Sequence, residues 1–185
     1  MTADLRLVPD QPTPTASAAE FTGAMSALAS GVVVVTCRLD GRPWGMTVTA
    51  FASVSADPPT VLVSLGSETL GARAIGATRR FGVSILAADQ LPVAQFGAAA
   101  GTAKFLERFT AAGAPSGASP VVAGALAELD CDVSDEIRVA DHTVFFGRVR
   151  VARASQAGRP LLYHHRDYRT VADLTSEGST RCLAN

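Results

Sequence analysis

The sequence predicts a mainly β protein, an antiparallel six-stranded barrel with helices packed around its outside. Three observations carry that reading. Short runs rich in Val, Thr and Phe recur along the chain, each closed by a turn or a short helix. Asp40-Gly41 sits between two such runs, the strongest short-range signal for an antiparallel hairpin. No strand–helix–strand regularity and no G-x-G-x-x-G turn occurs, which argues against a doubly wound parallel sheet. At 185 residues the chain makes one domain able to bury a core without staples.

The elements follow in order. Residues 1–16 are polar and carry Pro9, Pro12 and Pro14, which predicts a flexible leader before a domain over 17–172 and a tail over 173–185. Ser17-Ala18-Ala19-Glu20 has capping-box form, with Phe21, Met25 and Leu28 at helical spacing, so a helix is expected over 18–29, ended by Gly31. A β-branched strand over 32–39 leads through Asp40-Gly41 into an antiparallel partner starting at Trp44 and running to Ser55, closed by Pro58-Pro59. Further strands are expected over 60–65, 81–86, 125–133 and 142–151, with helices over 70–77 and 91–100. Residues 101–120 read as one helical turn around Lys104-Phe105 and then a loop. A last segment over 160–168 precedes the tail.

Composition excludes several classes. The formal net charge of −1 supplies no field for a phosphate backbone, so no nucleic-acid partner is expected. No apolar run approaches the ~20 residues of a membrane span. The N-terminus lacks the basic and apolar parts of a signal peptide. Cys37, Cys131 and Cys182 are odd in number and lack metal-type spacing, which points to reduced thiols in the cytoplasm and no metal site.

The residues best suited to chemistry lie in three places. Alternation along Gly45-Met46-Thr47-Val48-Thr49-Ala50-Phe51-Ala52-Ser53-Val54-Ser55 sets Met46, Val48, Ala50, Ala52 and Val54 on one face, and Thr47, Thr49, Phe51, Ser53 and Ser55 on the other. Four hydroxyls around an aromatic suit a polar planar ligand lying along the strand, although a half-buried strand with a wet face gives the same pattern. Gly66-Ser67-Glu68-Thr69 stands where a strand gives way to a helix, so Ser67 and Thr69 either cap the helix or help its free amides hold a phosphate, with Glu68 turned away. Lys104, the sole lysine, could add charge there or stand solvated at the surface. Ala140-Asp141-His142 opens a strand, where the histidine is either a ligand contact or a satisfied turn residue. No Ser or Cys nucleophile has a triad motif around it.

These stretches, in this order, resemble the short flavin reductases, the reductase components of two-component flavin-dependent monooxygenases, built on the FMN-binding split barrel. The likeness runs from about residue 21 to 170. It rests on the run from Gly45 to Ser55 with Pro58-Pro59, Phe81-Gly82-Val83-Ser84-Ile85-Leu86, Lys104-Phe105, Leu129-Asp130-Cys131-Asp132-Val133, Asp141-His142-Thr143 and Pro160-Leu161-Leu162-Tyr163. The resemblance implies a Greek-key split barrel and an NAD(P)H:flavin oxidoreductase using FMN or FAD with NADH or NADPH. Hydride would pass directly between the cofactors, with no catalytic side chain, and the reduced flavin would go to a partner oxygenase or halogenase. It further implies flavin contacts at Thr47, Val48, Thr49, Ser53, Ser55, Ser67, Thr69, Lys104 and Phe105, nicotinamide contacts at Asp141 and His142, and a homodimer with the cleft between subunits. The family's Gly-Asp-His reads Ala140-Asp141-His142 here, and alanine resists the positive φ a glycine allows. A flavin carrier of the same barrel, without turnover, is the alternative implied by that change.

Overall fold

The computed structural model describes residues 15–100, 103–110, 117–155 and 158–172, so residues 1–14 of the expected leader and the whole tail, with Cys182, lie outside the described residues. The capping box forms: Ser17 Oγ accepts from the Glu20 amide while the Glu20 carboxylate accepts from the Ser17 amide, starting α1 (Ala18–Ser26). The helix stops short of residue 29. Phe21, Met25 and Leu28 stay exposed, so no burial extends it beyond what the cap supports. Gly31 belongs instead to a two-residue strand, β1 (Ser30–Gly31).

Next come β2 (Val33–Leu39), β3 (Arg42–Val48), β4 (Phe51–Ala56) and β5 (Pro59–Gly66), then α2 (Leu70–Thr78), β6 (Arg80–Ile85) and α3 (Leu91–Ala98). The chain closes with β7 (Ala127–Val139), β8 (His142–Ala154), β9 (Leu161–His164) and β10 (Asp167–Thr170). Asp40 and Gly41 take φ of 51° and 77°, as a tight hairpin requires, and Leu39 pairs with Arg42 across it.

Every pairing is antiparallel. The main sheet runs β3-β2-β6-β7-β8-β5-β4, and β1-β9-β10 form a second, smaller sheet. Its edge strands, β3 and β4, are consecutive in the chain and separated only by Thr49 and Ala50. The sheet must therefore curl until its edges meet at that corner, which is a split barrel. The expected strand over 44–55 is thus two strands at opposite edges, and that division turns six expected strands into seven.

The division also changes which side chains face inward. Met46 and Val48 pack against the core, but three residue steps from Val48 to Phe51 invert a period of two. Phe51 consequently turns inward opposite Val63, while Ala52 and Val54 stand exposed, contrary to the single-face expectation. Lys104-Phe105 is another correction. It is extended, bridging to Trp44, and the turn comes after it at residues 107–109.

The core has two compartments, with β2 between them. Val33, Val35 and Cys37 face the barrel interior with Phe81, Val83 and Phe145, whereas Val32 and Val34 meet Leu86, Val93, Ala94 and Leu161 outside it. A strand buried on both faces needs no polar alternation, which explains the unbroken run Val32-Val33-Val34-Val35. No helix among the described residues is long and apolar enough to cross a membrane.

Candidate functional site

The corner at Thr49–Ala50 is closed by few bonds. The Phe51 amide donates to the Thr49 carbonyl at 2.9 Å, and the Ser64 amide to the Ala50 carbonyl at 3.0 Å. Of the hydroxyls expected to face a ligand, two are committed within the chain. Thr47 donates to the Ala94 carbonyl at 2.8 Å, pinning α3 to β3, and Ser55 accepts from the Asp57 amide at 3.2 Å. Thr49 and Ser53 are exposed, and among the described residues their hydroxyls bond to nothing. Those two remain available to a ligand.

A second group assembles beside α2. Thr69 caps that helix, accepting from the Ala72 amide at 3.2 Å and donating to the Gly66 carbonyl at 2.8 Å. Ser67 Oγ lies 2.8 Å from Thr143 Oγ1, and the Ser67 amide donates to the Asp141 carbonyl at 2.9 Å. Gly66 also pairs with His142 across the sheet. Ser67, Thr69, Asp141 and His142, far apart in sequence, therefore form one corner. Glu68 turns away, as expected, toward Arg73 and Arg138.

His142 is half-exposed, with Nδ1 at 2.8 Å from Asp141 Oδ1. That bond, followed by a backbone contact, holds the Asp141 carboxyl below its ordinary range, so it stays ionised and orients the ring. Nε2 has no partner among the described residues. Ala140 takes φ of 53°, the left-handed conformation a glycine would take easily, and Val139 still pairs with His142 across the two-residue turn. The changed residue leaves the turn's pairing intact.

Lys104 and Phe105 run along the edge of β3. The Lys104 carbonyl accepts from the Gly45 amide at 3.1 Å, and the Arg42 guanidinium covers the Phe105 ring at 3.8 Å. Lys104 is partly buried, which pulls its pKa down. No described hydrogen bond or ion pair joins it to the Ser67 corner.

Sequence reasoning missed the far wall of the cleft. Two cavities of about 290 and 510 Å³ open on either side of Thr49 and share Thr49, Tyr163 and Arg166. Val32, Thr47, Val48 and Tyr168 line the first; Thr22, Met25 and Ala50 line the second. Tyr163 and Tyr168 meet edge to face with centroids 5.3 Å apart. The available signal was the alternation of Leu162, His164 and the two tyrosines, but His165-Arg166 lacks the Gly or Asn that marks a hairpin. A planar, polar ligand of nucleotide size fits such a cleft: aromatic and aliphatic walls, open hydroxyls at the rim, and no carboxylate among the lining side chains.

Comparison with known proteins places the chain in a family. Residues 25–172 match the family described as flavin reductase like domain. The chain belongs to that family. Its flavin reductase fold has a relative in Rhodococcus opacus, the reductase component of 4-nitrophenol 4-monooxygenase/4-nitrocatechol 2-monooxygenase, 37% identical over 146 residues covering 79% of this chain and 77% of the relative. The NADH:riboflavin 5′-phosphate oxidoreductase of Streptomyces pristinaespiralis is 36% identical over 90% of this chain and 95% of its own length. Among solved structures, the NADH:FAD oxidoreductase of Streptomyces globisporus in complex with NAD and FAD fragments superposes with a TM-score of 0.77 at 31% identity, covering 85% of this chain and 94% of that one.

Proposed function

We propose that this chain is an NADH-dependent flavin reductase that reduces FMN or FAD and supplies the product to a separate flavin-dependent monooxygenase or halogenase. The observation that carries the reading is the cleft at Thr49–Ala50, with its open Thr49 hydroxyl and tyrosine wall, in a chain that matches the family and fixes His142 by Asp141 at a separate corner. When bound, the flavin supplies the acceptor for a hydride from the reduced nicotinamide. The chain's own work is positioning. Thr49 and Ser53 offer hydroxyls to the flavin edge, with Thr47, Val48 and Ser55 shaping the strand behind them. Ser67 and Thr69, bonded within the chain, shape the α2 corner, with Lys104-Phe105 along β3. His142, its ring fixed by Asp141, directs Nε2 toward the nicotinamide. The carrier alternative rested on Ala140, and Ala140 keeps the turn with the Asp141–His142 pair intact.

Two finer readings go with this one. The chain forms a homodimer through the outer face of β5 and β8. There Leu62 lies directly across from Phe146, and Val144 from Ile137, an apolar row outside the core cluster, while β4 beside it is exposed. It works in the cytoplasm, the compartment that suits the free, buried Cys37 and Cys131. Burial pushes those thiols up to about 11 and about 12, so both remain unreactive.

The deciding test is steady-state NADH oxidation by catalytic amounts of pure protein. Consumption should depend on added FMN or FAD; flavin-independent or absent consumption overturns the reading. In His142→Ala, kcat/KM for NADH should fall about ten- to hundredfold with flavin affinity unchanged. Wild-type kinetics would leave His142 a turn residue, and loss of flavin affinity would move it into the flavin site.

A further inference from the structure

The turn between β9 and β10 is built from residues poorly suited to it. His165 and Arg166 take φ of 48° and 60°, left-handed values that a non-glycine residue adopts at a cost. The turn is held by its surroundings: the His165 amide donates to the Ser26 carbonyl at 2.8 Å, tying it to the end of α1. Strained backbone maintained by tertiary contacts is a common mark of a binding position. What the strain presents is Arg166, at the junction of the two cavities, beside Thr49 and Tyr163.

The charge on Arg166 is unanswered. Among the described residues Arg166, like Arg38, Arg108, Arg148 and Arg153, pairs with no carboxylate, and of these five it is the one that lines the two cavities. The neighbouring carboxylate, Asp167, accepts from the Tyr168 amide at 2.8 Å and pairs with Arg169 at 2.9 Å. The cleft thus carries one positive charge and no negative side chain in its lining. At the α2 corner the situation is reversed. The Ser67 and Thr69 hydroxyls are already bonded within the chain, and the ionised Asp141 stands next to them.

We propose that Arg166 is the phosphate contact of the nucleotide bound in this cleft, with its guanidinium paired to a phosphate and the attached ring against Tyr163. The inference rests on the flavin reductase reading and adds a residue and a charge to it. The phosphate belongs either to the flavin or to the pyridine dinucleotide, a difference in source that binding measurements separate.

The test titrates riboflavin, FMN and NAD⁺ separately against wild type and Arg166→Gln, following flavin fluorescence and, for NAD⁺, calorimetry. A flavin source predicts that FMN weakens about ten- to hundredfold in the variant while riboflavin, lacking the phosphate, is unchanged. A dinucleotide source predicts the same loss for NAD⁺ with both flavins unchanged. Equal affinities in the two proteins, or riboflavin weakened as much as FMN, would overturn the proposal. Should the variant fail to fold, wild type itself decides: raising salt must weaken FMN or NAD⁺ but not riboflavin, and salt-independent binding of all three overturns it. If wild type consumes NADH with flavin but passes neither test, only the Arg166 assignment fails; if it shows no flavin-dependent oxidation, the functional reading itself has failed.

Discussion

The end of β3, Gly45-Met46-Thr47-Val48, and β4 both mix small and hydroxyl residues with apolar ones, yet they lie in opposite surroundings. β3 is covered on both faces: Trp44 is buried, Met46 and Val48 meet the barrel interior, and α3 presses so close that a Cβ on Gly97 would collide with Thr47 Oγ1. β4 is exposed along its length except at Phe51. The difference arises from neighbours, because α2 and α3 lie over β2 and β3, whereas the main neighbour of β4 is β5. One half of the run is framework. The other half, with the corner between them, stays open to solvent.

That contrast can be broken by substitution. Phe146→Asp, on the uncovered outer face beside β4, should convert the proposed dimer to monomer in sedimentation velocity, since an unpaired charge in an apolar interface costs about 3–5 kcal/mol. A dimer of unchanged affinity would mean that this face is not the interface. Gly97→Ala, on the covered side, should lower stability to urea by about 1–3 kcal/mol, because β3 and α3 must separate or Thr47 must release Ala94. No loss would show that α3 is less tightly seated than its contacts indicate. The smallest effect belongs to the turn at Ala140-Asp141. Ala140→Gly should raise stability by about 1 kcal/mol or less, the relief of a left-handed alanine partly offset by the greater freedom of glycine when unfolded. A fall in stability would mean that the alanine side chain holds the turn.

Much of this was legible in the chain, for reasons that differ by region. Asp40-Gly41 and Ser17-x-x-Glu20 act through local bonds alone, so the hairpin and the cap could be read directly. The hydroxyl residues of the run were found, but not its break, because the break depends on β3 and β4 pairing with strands at opposite edges of the sheet. Local alternation contains no trace of that. The assembly of Ser67 with Asp141 and His142 likewise follows from the β5–β8 register, which joins residues more than seventy positions apart. Arg166 stayed hidden because its turn is imposed by contact with α1 and lacks a residue that would announce it.

The claim that the corner at Thr49–Ala50 and the exposed β4 receive the flavin, while β3 serves as framework, can be tested by amide hydrogen exchange with and without saturating FMN. Backbone amides over 49–56 should gain protection on binding, together with those around Ser67, while β2 and most of β3, already slow, change little. Protection that appears elsewhere and leaves 49–56 exchanging as in the free protein would contradict the account.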